Sequence, residues 1–110
     1  MKVVKNACYG GFSLSKKALM LLQQRKREKG IDISKVSVYL DDEISRHDPD
    51  LVYVVEHLGT EKASGECAEL VVEELYNYIY RIEDYDGSER VVYPDSEQDW
   101  CIVEPELRNS

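Results

Sequence analysis

The sequence predicts an α+β fold: one small sheet, laid down as strand, helix, strand, helix and then an antiparallel hairpin, with two helices on one face. Three observations carry this expectation. Ser15 to Gly30 and Asp48 to Gly59 each open on a capping residue and close on a glycine. Short valine-rich or alternating runs stand before, between and after them. Asp86-Gly87 separates two such runs near the end, as a tight hairpin turn does.

Taken in order, Lys2 to Tyr9 is the first expected strand. Gly10-Gly11 ends it, because two residues without side chains let the backbone reach positive φ and turn sharply. Ser15 is the expected cap of a helix running to Glu28, with Gly30 as its stop. Leu14 ahead of the cap and Leu19 inside the helix have the spacing of a hydrophobic staple. Ala18, Leu19, Leu21 and Leu22 make the core stripe. Gln23 to Lys29 are polar and mostly basic, which suits the negative end of the helix dipole. Lys35 to Leu40 alternates polar and apolar residues and is expected as the second strand, followed by the acidic turn Asp41-Asp42-Glu43.

The second helix has the clearest boundaries. Asp48 caps it, Pro49 takes the first helical position, Asp50 lies in the first turn and Gly59 closes it. Leu51, Val52, Val54, Val55 and Leu58 form its buried face. Thr60 to Glu66 reads as a polar loop, and Ala68 to Leu75 as a strand. Tyr76 to Glu83 places Tyr76, Tyr78, Tyr80 and Ile82 on one side. Tyr85 to Ser88 is the turn, and Glu89 to Tyr93 returns as the partner strand. Trp100 to Val103 adds an edge strand or packs back, and 104–110 is expected to be a flexible tail. With no repeat and no linker, residues 1–110 read as a single domain.

Charge is unevenly spread. Residues 1–60 hold 10 Lys/Arg against 8 Asp/Glu, whereas residues 61–110 hold 4 against 14, and the net formal charge is −8. An acidic half of this kind repels phosphates, so direct binding of nucleic acid or of an anionic membrane surface is disfavoured. It suits a solvated surface, or a face that docks onto a basic partner. The longest apolar run, Ala18 to Leu22, falls far short of the roughly 20 residues of a membrane span. The first residues lack a signal-peptide pattern, and Cys8, Cys67 and Cys101 are odd in number with no C-x-x-C pair. Reduced thiols and a cytoplasmic location are expected.

Candidate chemistry concentrates at two places. The Gly10-Gly11 turn ahead of a capped helix is either a tight strand-to-helix connection or a small anion site. In the second reading Tyr9, Gly10, Gly11, Ser13, Ser15 and Lys16 would hold a phosphate-bearing ligand on backbone N–H groups, with Tyr9 or Phe12 stacking on a base. Neither P-loop nor dinucleotide-fold spacing is present. The Tyr76, Tyr78, Tyr80 stripe either packs under the helices or faces outward. Facing outward beside Glu73, Glu74, Glu83 and Asp84, it would make a protein-binding patch.

Other residues point away from catalysis. Cys8, His47, His57 and Cys67 are metal-ligating types, but their spacing fits no zinc pattern, and no metal or other cofactor is expected. No Ser-His-Asp order is readable, and Cys8 has no identifiable base. The pairs Asp41-Asp42 and Glu83-Asp84 fall in expected turns among other acids, where nothing would drive their pKa values apart.

The run Asn6-Ala7-Cys8-Tyr9-Gly10-Gly11-Phe12-Ser13-Leu14-Ser15, with Ala18, resembles the opening of a family of short proteins from tailed bacteriophages and other mobile elements. Arg46 to Gly59 and Tyr80 to Val91, with the turn Glu83 to Gly87, resemble later stretches of the same family. The basic end of the first helix and the tyrosine triplet lie outside the resemblance. It implies a viral or prophage origin and a host-cell setting, and it implies no reaction. The expected function is therefore that of a small non-enzymatic interaction protein. Its acidic C-terminal half would bind and block a basic surface on a host protein, in an anti-defence or host-takeover role. The alternative is a small-ligand or nucleotide-binding module built on the Gly10-Gly11 turn.

Overall fold

Helices and strands separate into layers on either side of the first strand, in a computed structural model that describes residues 1–40, 44–75 and 79–93 and the backbone of 101–102. The elements are β1 (Lys2–Asn6), α1 (Lys16–Glu28), α2 (Pro49–Leu58), α3 (Thr60–Ala63), β2 (Leu70–Glu74), β3 (Ile79–Tyr85), β4 (Ser88–Val92) and β5 (Cys101–Ile102). The α+β class is as expected. None of the helices is long and apolar enough to cross a membrane, among the described residues.

The expected single sheet is instead two. β1 pairs antiparallel with β2, from Lys2 opposite Glu74 to Asn6 opposite Leu70. β3 pairs with β4, from Arg81 opposite Val92 to Tyr85 opposite Ser88, and the two-residue β5 adds to the other side of β3. The reason lies in two adjacent residues. Val3 and Val4 are both fully buried, and successive strand residues face opposite sides. Val4 enters the main core with Leu22, Leu51, Val54, Val55 and Leu70. Val3 enters a smaller core with Leu75 and Tyr80, flanked by Ile82, Val91 and Tyr93. Helices thus cover one face of the β1–β2 ribbon, and the β3–β4 hairpin covers the other. A strand covered on both faces leaves no reason for the hairpin to extend its edge.

Both long helices follow their local signals. Ser15 Oγ accepts from Ala18 N–H at the start of α1, and Leu14 and Leu19 share the main core. Asp48 caps α2 by accepting from the Asp50 and Leu51 N–H groups, with Pro49 at the first position. The hairpin turn takes positive φ at Asp86 (52°) and Gly87 (91°), as a two-residue type I′ turn requires.

Three expectations fail locally. Lys35 to Leu40 is no strand but a loop with two turns, in which Val36 N–H donates to Ile33 O and Leu40 N–H to Ser37 O. Ser37 Oγ also accepts from Tyr39 N–H, a local bond that competes with any ladder. Ile33, Val36, Leu40 and Ile44 drop from this loop into the main core. Thr60 to Ala63 forms the one-turn α3 rather than loop, which makes three helices instead of two among the described residues. The first strand ends at Asn6, short of Tyr9, because residues beyond it cross over the hairpin. The acidic turn 41–43, Tyr76 to Tyr78 and the tail 104–110 lie outside the described residues.

Candidate functional site

The glycine-rich segment after β1 is a crossing point of three chain segments. Gly87, at the tip of the hairpin, lies so close that a Cβ there would stand 2.5 Å from Gly11 N and from Tyr9 O. A Cβ on Gly10 would stand 1.8 Å from Cys67 O, and one on Gly65 would stand 2.0 Å from Ser13 Oγ. Gly11 itself has φ 89°, a left-handed conformation that favours glycine. Gly65 N–H donates to Ser13 O (2.8 Å), Leu14 N–H to Val38 O (2.9 Å) and Ser15 N–H to Ala63 O (2.8 Å).

Asn6 ties this crossing together from within, with no exposed surface. Its N–H donates to Glu89 Oε1 (2.8 Å), and its Nδ2 donates to Cys8 O (2.7 Å) and Gly87 O (2.6 Å). Its Oδ1 accepts from Glu69 N–H (2.7 Å). Glu89, also buried, receives both guanidinium nitrogens of Arg46 (2.5 and 2.9 Å), a bidentate pairing. The Arg46 guanidinium lies 3.7 Å over the Phe12 ring. Most of these bonds join distant segments, and they satisfy the buried Asn6 amide and Glu89 carboxylate, as burial demands.

This geometry accounts for most of the candidate ligand residues as architecture. Gly10 and Gly11 allow backbone contact, and Ser13 O holds the 64–67 loop. Ser15 Oγ accepts from Ala18 N–H and donates to Lys62 O (2.7 Å). Lys16 is exposed. A depression of about 580 Å³ does gather Gly10, Ser13, Ser15 and Lys16, with Tyr39 and Glu66 on its wall. The Glu66 carboxylate opposes an anion there.

The described candidate docking residues lie on β2 and β3, and most are engaged within the fold. Glu73 pairs with Lys5 (2.7 Å) and Glu74 with the terminal amine (3.6 Å), both on β2. Glu83 binds Arg90 (2.8 Å) and Arg81 (3.0 Å), and the Arg90 hydrogen bond foremost holds its carboxyl below the usual range. Tyr80 is only 2% exposed, but it packs with Val3 and Leu75 in the smaller core rather than under the helices, and so cannot anchor a partner. Its hydroxyl lies 2.6 Å from His47 Nδ1. Tyr76 and Tyr78 fall outside the described residues. Among the described members of the set, Asp84 alone is exposed and near the crossing, accepting from Gly87 N–H (2.9 Å).

What sequence reasoning missed is a different surface around the same crossing. Tyr9, Tyr39 and Tyr85 are 70%, 66% and 74% exposed. Glu66, Glu69, Asp84 and Asp86 are exposed too, and among the described residues none of the four has a basic partner. Glu66 precedes Cys67, which packs on Gly10, and Asp84 to Asp86 lead into Gly87. Tyr39 lines the depression with Glu66 and also a cleft of about 420 Å³ with Asp84. The signal available in the sequence was the turn chemistry itself: Tyr9 and Tyr85 each stand within two residues of a glycine turn, where the chain reverses at the surface.

Of the metal-ligating types, the Cys8 thiol donates to the Cys67 carbonyl, whereas His47 sits against Tyr80 and His57 stacks on Tyr53. No group of three such residues that could hold a metal occurs among the described residues. The basic end of α1 is also absorbed by the fold. Arg25, Lys26 and Lys29 bind Asp50, and Lys26 binds Asp48 (2.6 Å), at the start of α2. Comparison of the chain with protein-family models, with curated proteins and with solved structures finds no match.

Proposed function

We propose that the protein is a non-enzymatic binding protein of phage or mobile-element origin, acting in the host cytoplasm, that docks its acidic, tyrosine-bearing end onto a basic surface of a host protein and blocks it. The observation that carries this reading is the set of three exposed tyrosines among four carboxylates without a basic partner in the described residues. Isolated exposed aromatic residues are ordinary, but three around one crossing are not. Tyrosine offers broad contact at low entropy cost. Unpaired carboxylates steer a basic partner and discriminate against acidic ones. The Asn6–Glu89–Arg46 network holds the crossing in place, which lowers the ordering cost of binding.

The test compares three forms of the tagged protein as bait in host lysate at low and high salt. One is unmodified, one carries Glu66→Lys, Asp84→Lys and Asp86→Lys, and one carries Tyr9→Ser, Tyr39→Ser and Tyr85→Ser. The expected result is a basic protein retained at low salt, released by high salt and lost from both variants. A partner that binds all three equally overturns the reading.

A further inference from the structure

We propose that Cys8 and Cys67 are a redox-active pair that closes a disulfide between the end of β1 and the loop before β2. Both are free thiols; Cys8 is half-buried and Cys67 exposed. Cys8 Sγ donates to Cys67 O at 2.9 Å, and to Asn6 Oδ1 at 3.5 Å. The Cys67 Cβ packs on Gly10, only 2.5 Å from where a Cβ on that glycine would lie. The carbonyl and the Cβ of one residue branch from the same short stretch of backbone. The Cys8 sulfur therefore lies against the backbone of Cys67, whose exposure leaves its side chain room to turn. Backbone bonds hold the two segments together on both sides, from Ala7 N–H to Glu69 O (2.8 Å) and from Gly65 N–H to Ser13 O (2.8 Å). A disulfide needs its two Cα atoms within about 7 Å, so such prior fixing favours closure over strain.

The oxidant is a low-molecular-weight disulfide such as oxidised glutathione. The exposed Cys67 thiolate attacks one of its sulfurs, forming a mixed disulfide and releasing one small thiol. Cys8, as thiolate, then attacks the Cys67 sulfur, forming the protein disulfide and releasing the second thiol. Two electrons pass from the protein thiols to the oxidant, and the two protons leave on the released thiols. The new bond closes the loop that contains α1, α2 and α3.

The test treats the full chain with excess oxidised glutathione, blocks remaining thiols with iodoacetamide and digests with trypsin. Cleavage after Lys5, Lys16, Lys62, Arg81, Arg90 and Arg108 puts Cys8, Cys67 and Cys101 on separate peptides. The expected product joins peptides 6–16 and 63–81. It raises Tm by about 10 °C, is reversed by dithiothreitol and persists in Cys101→Ser. In Cys8→Ser the reaction should stop at glutathione on Cys67. Overturning results are glutathione or iodoacetamide adducts alone on Cys8 and Cys67 of the unmodified chain, or a cross-link from either to Cys101.

Discussion

Replacing Asp50 with asparagine removes one negative charge from the seam between the two long helices, and the structure sets the size of the loss. Asp50 is 1% exposed and receives Lys29 (2.8 Å), Lys26 (3.1 Å) and Arg25 (3.2 Å). Truncating one partner of a buried ion pair typically costs about 3–5 kcal/mol, because the other charge is left in a poor medium. Lys29 and Arg25 are half and one-third exposed, so water recovers much of their loss. Lys26 is buried and keeps only Asp48, at 2.6 Å. The net cost is then about 2–3 kcal/mol, less than the full range because one carboxylate remains. For a chain of this size that lowers Tm by about 8–12 °C. Thermal and urea unfolding followed by circular dichroism at pH 7 would measure it, with Asp48→Asn as the milder control that keeps a cap. Asp50→Asn unfolding within about 0.5 kcal/mol of the unmodified chain would refute the seam as a source of stability.

The same cluster predicts a pH dependence. Burial works to raise the Asp50 carboxyl, but the Lys29 and Lys26 ammonium groups outweigh it and hold the pKa below its ordinary value. Its contribution is therefore full above the unfolded carboxylate pKa and is lost as pH falls through the folded value. Tm should decline in acid, and less steeply in Asp50→Asn. Burial also opposes the Lys26 charge, yet bonds to Asp48 and Asp50 raise its pKa, so that contribution persists below the usual lysine value and fades above the folded one. Gly87→Ala combines positive φ with a Cβ 2.5 Å from two backbone atoms. It should cost about 2–4 kcal/mol in urea unfolding; a cost under about 1 kcal/mol would mean the crossing is loose. Glu89→Gln keeps an acceptor for Asn6 N–H but leaves the half-buried Arg46 without its carboxylate. A loss of about 2 kcal/mol is expected, measured in the same way.

Elements whose signals are local were legible in the sequence. Ser15, Asp48-Pro49 and Asp86-Gly87 each carry their structural instruction within four residues, and α1, α2 and the hairpin turn appear where those residues stand. Features set by distant segments were not. Alternation over Lys35 to Leu40 looked like a strand, but the apolar positions Ile33, Val36 and Leu40 are spaced for a turning loop over the core. The layering turned on Val3 and Val4 being apolar in succession, a pattern of burial on both faces that was present but read as ordinary valine richness. The burial of Asn6, Asp50 and Glu89 could not be read from the sequence because their partners include residues 21 to 83 positions away. A polar residue inside an apolar strand is the hint that burial with a partner leaves behind.

The opening motif illustrates how such a pattern divides between fold and function. Gly10 and Gly11 answer to Cys67 and Gly87, Asn6 to three backbone groups and the Glu89 carboxylate, Phe12 to Arg46, and Ser13 and Ser15 to the segment between Lys62 and Gly65. Each of these positions therefore serves the crossing through a contact within the chain. Tyr9 is different, because its side chain is 70% exposed while its backbone serves the crossing. Tyr85 and Tyr39 are exposed to the same degree. A fold that needs only small or polar residues at such positions has no use for three aromatic rings in water, where apolar surface carries a standing cost. Substituting the three with serine should accordingly leave Tm nearly unchanged, since surface changes away from packed sites stay within about 0.5 kcal/mol. A large fall in Tm would instead show that the rings hold the crossing together, and would remove the ground for assigning them to a partner.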